Sequence, residues 1–212
     1  MSNVKERIAE AKLLPVIKLN HVEDALPLAE ALIEGGLPVM EITFRTDAAE
    51  DSIRAVSKAC PDVLTGAGTI TTLEQVKRAH DAGAKYVVTP GISRVVLEYC
   101  CSSNIPVYPG ACTPSEVISV MEYGLDIIKF FPAAQYGGLS TIKALSAPFP
   151  SIGFVPTGGI SESNLLEYLA FPKIIACGGS WMVKEDLIKA GDFKAITALT
   201  KEAVDLTKKA AK

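Results

Sequence analysis

Ile127-Ile128-Lys129-Phe130-Phe131-Pro132 is an apolar run of strand length with one lysine inside it, and its reading decides the fold. It is too short to cross a membrane, which takes ~18 or more apolar residues, but suits a strand of a parallel sheet buried on both faces. Comparable runs occupy 14–19, 39–45, 64–70, 86–91, 106–112, 153–160 and 174–180, each followed by a helical pattern. Such alternation predicts βα units and a parallel sheet. Eight units without a break favour closure into a (β/α)8 TIM barrel over an open doubly wound sheet.

The punctuation agrees with this register. Asn20-His21-Val22-Glu23 and Thr113-Pro114-Ser115-Glu116 both have the form of a capping box, the second with proline at the first helical position. Gly35, Gly83 and Gly124 fall where helices should end, a few residues before the next strand. Pro27 lies inside the helix expected after the first strand, and must kink it or move its start.

The 212 residues are 49% hydrophobic, enough for one substantial core, so a single domain over 1–212 is expected. In this reading residues 1–13 form an extra leading helix, and a lysine-rich helix lies near 196–211. Barrels of this class typically have ~250 residues, so the loops must be lean, with little room for a lid. A net charge of −3 without basic runs argues against nucleic acid and for a small-molecule partner. The first 14 residues carry Lys5, Glu6, Arg7 and Glu10 and lack the apolar centre of a signal peptide. The expectation is a soluble, cytoplasmic protein with no membrane partner. Five cysteines without a CxxC pair read as reduced, buried thiols.

Barrel chemistry sits at the C-terminal strand ends, so alternation along each strand decides which side chains share a site. Glu41, Thr43 and Arg45 share one face of 39–45, and Met40, Ile42 and Phe44 the other. The apolar set should meet the helices, which turns the carboxylate, hydroxyl and guanidinium inward. Lys129 shares its face with Ile127 and Phe131, and should look into the same lumen as Glu41. Lys18, on the face of Val16, either reaches that lumen as a second cation or snorkels to solvent. A Lys129–Glu41 pair that merely held the barrel in register would stabilise it little, because desolvation offsets most of the attraction. Apolar burial does favour the neutral form of an amine, which is what an amine nucleophile requires.

Glycine-rich turns supply the other half of the site. Thr157-Gly158-Gly159-Ile160 ends the seventh run and Gly178-Gly179-Ser180 the eighth, where barrels commonly hold phosphate through backbone N–H groups. His21 and His80 are placed for neither a triad nor a histidine metal site, and carboxylates do not gather at several strand ends. A metal-free amine mechanism is the chemistry that remains.

With Gly36 to Arg45, "GLPVMEITFR", and Gly124 to Ala133, "GLDIIKFFPA", both in view, the chain resembles the bacterial 2-keto-3-deoxy-6-phosphogluconate (KDPG) aldolase and 4-hydroxy-2-oxoglutarate aldolase family. "GAGTI", "VTPG", "PTGGI" and "CGGSW" follow in the order that family shows. The resemblance implies a class I aldolase of the Entner–Doudoroff route, usually a homotrimer, acting on a phosphorylated keto acid through a covalent lysine imine, with no cofactor and no metal. By position it implies that Lys129 is the Schiff-base lysine and Glu41 the general acid/base. Arg45 would hold the keto-acid carboxylate, while Thr69, Pro90 and Phe131 line the substrate site. Gly158, Gly159, Gly179 and Ser180 would form the phosphate end, with Thr157 and Lys18 further substrate-binding candidates. Ala134 departs from the glutamate that close relatives often carry after "FPA". Competing readings are a phosphosugar-binding barrel without catalysis, an isomerase or epimerase, and an aldolase for the phosphogalactonate epimer.

Overall fold

A computed structural model describes residues 4–210. The chain alternates α1 (Val4–Ala11), β1 (Leu13–Ile17), α2 (Ala25–Glu34), β2 (Val39–Thr43), α3 (Ala49–Ala59), β3 (Leu64–Gly68), α4 (Leu73–Asp81), β4 (Val87–Val88), α5 (Arg94–Ser102), β5 (Val107–Tyr108), α6 (Pro114–Met121), β6 (Ile127–Phe130), α7 (Gly138–Ser146), β7 (Gly153–Pro156), α8 (Leu165–Leu169), β8 (Cys177–Gly179), α9 (Glu185–Ala190) and α10 (Phe193–Lys208). Every strand pairing is parallel. Six strands form a curled sheet in the order β5-β4-β3-β2-β1-β8, and β6 pairs with β7 in a second sheet. Single parallel bridges, Gly110 to Lys129, Phe154 to Ile174 and Thr157 to Gly178, join the two.

The strands are shorter than the apolar runs, chiefly at their C-terminal ends. Arg45, Thr69, Pro90 and Phe131 lie just beyond the ladder, because there the backbone turns away to build the loops of the site, while Thr157 keeps a single bridge past the end of β7. At the other end, Leu13 belongs to β1 and not to the leading segment. Residues 1–3 of that segment and 211 of the last helix lie outside the described residues.

Alternation divides the apolar residues into two layers, as the sequence pattern requires. Met40, Ile42, Ile128 and Phe130 pack on the helix side. Leu14, Val39, Leu64, Tyr86, Ile127 and Val155 form a separate inner cluster, which also takes in Ile8 of α1. α1 therefore packs its apolar side onto the inner layer, and its Lys5 pairs with Asp126 just ahead of β6.

The capping box at Thr113 forms, with Pro114 in the first turn of α6. A second box at Thr72 and Gln75 starts α4. The box expected at Asn20–Glu23 does not form. Residues Val22–Asp24 make a 3-10 turn without a side-chain cap, and α2 begins only at Ala25. This delay puts Pro27 in the first turn, where its missing N–H breaks no helical bond. Beyond α2 the left-handed glycine is Gly36 (φ 84°), with Gly35 still helical. The five cysteines are free thiols, but only Cys100 and Cys177 are fully buried. Among the described residues, no helix is long and apolar enough to cross a membrane.

Candidate active site

β2 and β6 bring Glu41 and Lys129 together on the inner face. Lys129 Nζ donates to Glu41 Oε1 at 3.3 Å, and both side chains are buried. Glycines of β3 make the room. Glu41 is in register with Gly66 and Thr43 with Gly68. A Cβ on Gly68 would overlap the Glu41 carboxylate, and one on Gly66 would overlap the Tyr86 ring. Tyr86 and Glu41 thus lean over β3 in successive layers, and the Tyr86 hydroxyl donates to Met40 O at 2.8 Å. Burial, and then the charge of Glu41, pushes the Tyr86 hydroxyl well above its ordinary pKa. Nothing in the sequence assigns these jobs to Gly66, Gly68 and Tyr86, since a glycine in a strand does not say which neighbour will fill its face. Glu41 Oε2 is buried with no hydrogen-bond partner among the described residues. An unpartnered buried carboxylate oxygen is costly.

Phe131, one residue past β6, sets its exposed ring 5.4 Å from Lys129 Nζ, measured to the ring centroid. Thr69 follows β3 with φ +58°, a left-handed conformation rare for a β-branched residue. Strain of this kind clusters at functional sites. Pro90, after β4, packs its carbonyl so closely against Gly110 that no side chain fits there. Arg45 is exposed just beyond β2, where its Nε donates to Thr43 Oγ1 at 3.0 Å and Thr43 in turn donates to Ile17 O.

Thr157 is buried over Gly178, its hydroxyl without a partner among the described residues. Gly158 and Gly159 follow with φ of +95° and +80°, a turn only glycine makes without strain. Ala134 packs against Gly159 and donates its N–H to Gly158 O at 3.0 Å, so the "FPA" departure lies on this turn. Gly179 ends β8, with the ring of Trp181 stacked where a side chain would be, and Ser180 follows exposed.

A cavity of about 380 Å³ opens at the ends of β1, β2 and β8, lined by Lys18, Arg45, Ser180, Trp181, Lys184 and Glu185. Lys129 and Glu41 are not on its wall, but Val16, which is, stands in register with Glu41. Lys18 does not pair with the inner carboxylate. Its Nζ bonds Glu185 Oε1 at 3.1 Å. Lys189 (3.0 Å) and Asn20 (3.3 Å) donate to the same oxygen. Lys189 first, then Lys18 and Asn20, hold the Glu185 carboxyl at about 2, well below its ordinary value. The sequence reading misses Glu185 and Lys184, which lie past the last strand and carry no motif of their own, and it gives no role to Trp181 at the end of "CGGSW". His21 is exposed in the loop after β1 and His80 lies on α4.

Curled parallel strands with helices around them, a buried amine–carboxylate pair and a cationic cavity at the C-terminal strand ends define an α/β protein with its polar side chains gathered at one end of the sheet. The chain belongs to the KDPG and KHG aldolase family, whose sequence model matches residues 4–199. A 2-dehydro-3-deoxy-phosphogluconate aldolase of Treponema pallidum is 45% identical over 206 residues, 97% of this chain and 98% of the relative. The crystal structure of a KDPG aldolase from Legionella pneumophila, with pyruvate captured as a covalent carbinolamine, superposes with a TM-score of 0.91 at 40% identity, covering 95% of this chain and 98% of that one. A Zymomonas mobilis KDPG aldolase with 3-phosphoglycerate gives a TM-score of 0.90 at 35% identity, over 98% and 97% of the two chains.

Proposed function

We propose that this protein is a class I aldolase, a carbon–carbon lyase that cleaves KDPG to pyruvate and glyceraldehyde 3-phosphate. A second substrate in this reading is 4-hydroxy-2-oxoglutarate, which yields pyruvate and glyoxylate; the family's description favours it. The observation that carries the proposal is the Lys129 amine 3.3 Å from the Glu41 carboxylate, both buried on the inner face.

In the mechanism, the Arg45 guanidinium takes the keto-acid carboxylate. Thr43 occupies its Nε, leaving the terminal N–H groups to make a forked, charge-assisted contact. The free amine of Lys129 attacks C2, giving a carbinolamine that loses water to form the imine. Glu41 shuttles the protons of these steps, a task for which its unpartnered Oε2 is suited. The protonated imine then accepts the electron pair of the C3–C4 bond as Glu41, directly or through a bound water, takes the proton of the C4 hydroxyl. The aldehyde departs and an enamine stays on Lys129. Protonation at C3 and hydrolysis release pyruvate and restore the amine, so the cycle requires no metal or other cofactor. Thr69, Pro90 and Phe131 wall the pyruvate end and help keep it dry. Thr157, Gly158, Gly159, Gly179 and Ser180 take the phosphate, with Lys18 beside them.

The wider reading is of one domain closed as a (β/α)8 barrel with α1 across one end, supported by the bridges between the two sheets. It is a cytoplasmic homotrimer in this proposal, and the exposed Val95, Ile118 and Met121 offer apolar surface for such contacts. The test is incubation with pyruvate and borohydride, followed by mass spectrometry and peptide mapping. A reduced pyruvyl adduct on Lys129 is expected. A folded protein without an adduct would instead leave a phosphosugar-binding barrel.

A further inference from the structure

The structure assigns Glu185 a part in choosing between substrates, an inference that rests on the aldolase reading above. Glu185 is a specificity-determining residue that holds Lys18 as an exchangeable partner at the cavity wall, and a terminal phosphate takes Lys18 from it where a terminal carboxylate gains nothing by doing so.

The geometry of the ion pairs supports the exchange. Three donors converge on Glu185 Oε1, so when Lys18 leaves, Lys189 and Asn20 still satisfy the carboxylate. Lys18 and Glu185 are 36% and 41% exposed, which makes their pair solvent-screened, weak and easily broken. Lys18 has three N–H donors and one ion-pair partner among the described residues. The cavity wall brings Lys18, Arg45 and Lys184 around a single acid, Glu185.

The two tails differ in what they offer Lys18. A substrate carboxylate that displaced Glu185 would replace one carboxylate contact by another, with no net gain in charge or acceptor geometry. A phosphate brings about −1.5 to −2 charge and three acceptor oxygens, so the same exchange is favourable. Glu185 therefore penalises the carboxylate tail of 4-hydroxy-2-oxoglutarate relative to the phosphate tail of KDPG. Remove its charge, and Lys18 becomes available to either.

The experiment is steady-state cleavage of both substrates by wild type, Glu185→Gln and Lys18→Met, with inorganic phosphate as a competitive inhibitor. Glu185→Gln is expected to lower the ratio of kcat/KM for KDPG over 4-hydroxy-2-oxoglutarate by ~2- to 5-fold, the scale of one exposed ion pair. The change should come mainly from KM, and phosphate inhibition should tighten. Lys18→Met should raise KM for KDPG more than for the other substrate. An unchanged ratio and unchanged phosphate inhibition in Glu185→Gln would overturn the inference. Borohydride trapping of pyruvate in the same proteins separates the two readings, since pyruvate carries no tail that would compete with Glu185 for Lys18. An adduct with an unchanged ratio removes this inference alone, and no adduct in wild type removes the aldolase.

Discussion

The carboxylate of Glu41 rests in the space that a side chain on Gly68 would fill, so a missing atom on β3 aims the acid of β2 at Lys129. Gly68→Ala should push the carboxylate off its seat. Overpacking of this kind costs about 1–3 kcal/mol of stability, and displacing a reacting group by ~1 Å can cost about 100-fold in turnover. Thermal unfolding and kcat measured on the one variant check both halves. Wild-type kcat in Gly68→Ala would show that the seat does not position Glu41.

The buried pair itself is expected to matter more for chemistry than for stability. Lys129→Met leaves a carboxylate uncompensated in the lumen, which typically costs about 3–5 kcal/mol. The double change Lys129→Met/Glu41→Leu removes both charges and should recover most of that loss in denaturant unfolding, while remaining inactive. Glu41→Gln should keep some trapping of pyruvate on Lys129 but lose on the order of 10²–10⁴ in turnover.

Thr69 holds a left-handed φ of +58°, which for a β-branched side chain stores about 1–3 kcal/mol. Thr69→Gly releases that strain but pays a glycine's extra chain entropy of about 0.5–1 kcal/mol. A net gain of ~1 kcal/mol in unfolding free energy is expected, together with weaker pyruvate binding. A variant that is less stable than wild type would rule out strain at this position.

Glu185 supplies one pH dependence that a single substitution can isolate. Its carboxyl is lowered from an ordinary 4.5 to about 2 by Lys189, Lys18 and Asn20. A depressed acid stabilises the folded state above its unfolded pKa, and that contribution disappears as the pH falls through the folded value. Wild type should therefore lose stability between pH 4.5 and about 2 more steeply than Glu185→Gln. The side-chain carboxyl followed by NMR should titrate near the lower end of that window. Parallel stability curves for the two proteins would show that the pair adds nothing to the fold.

The amino-acid order alone determined which residues face inward. Side-chain alternation along a strand is local geometry, so Glu41, Thr43 and Lys129 could be set on the inner face from 39–45 and 127–132 without knowing where either strand lay. The same holds for the capping box at Thr113, whose partners are three residues apart. Only the tertiary structure decided what those inner residues meet. Lys129 and Glu41 are 88 positions apart, and Lys18 and Glu185 are 167 apart. Their distances depend on how every strand between them curls. Gly66 and Gly68 read as ordinary strand glycines until Tyr86, just ahead of β4, and Glu41 of β2 lie across them. The strand ends and the delayed start of α2 were likewise settled by packing, since apolar content shows what is buried but not where the backbone leaves the ladder. Local sterics are written residue by residue, whereas a site assembled across a curled sheet is a property of the whole chain's packing.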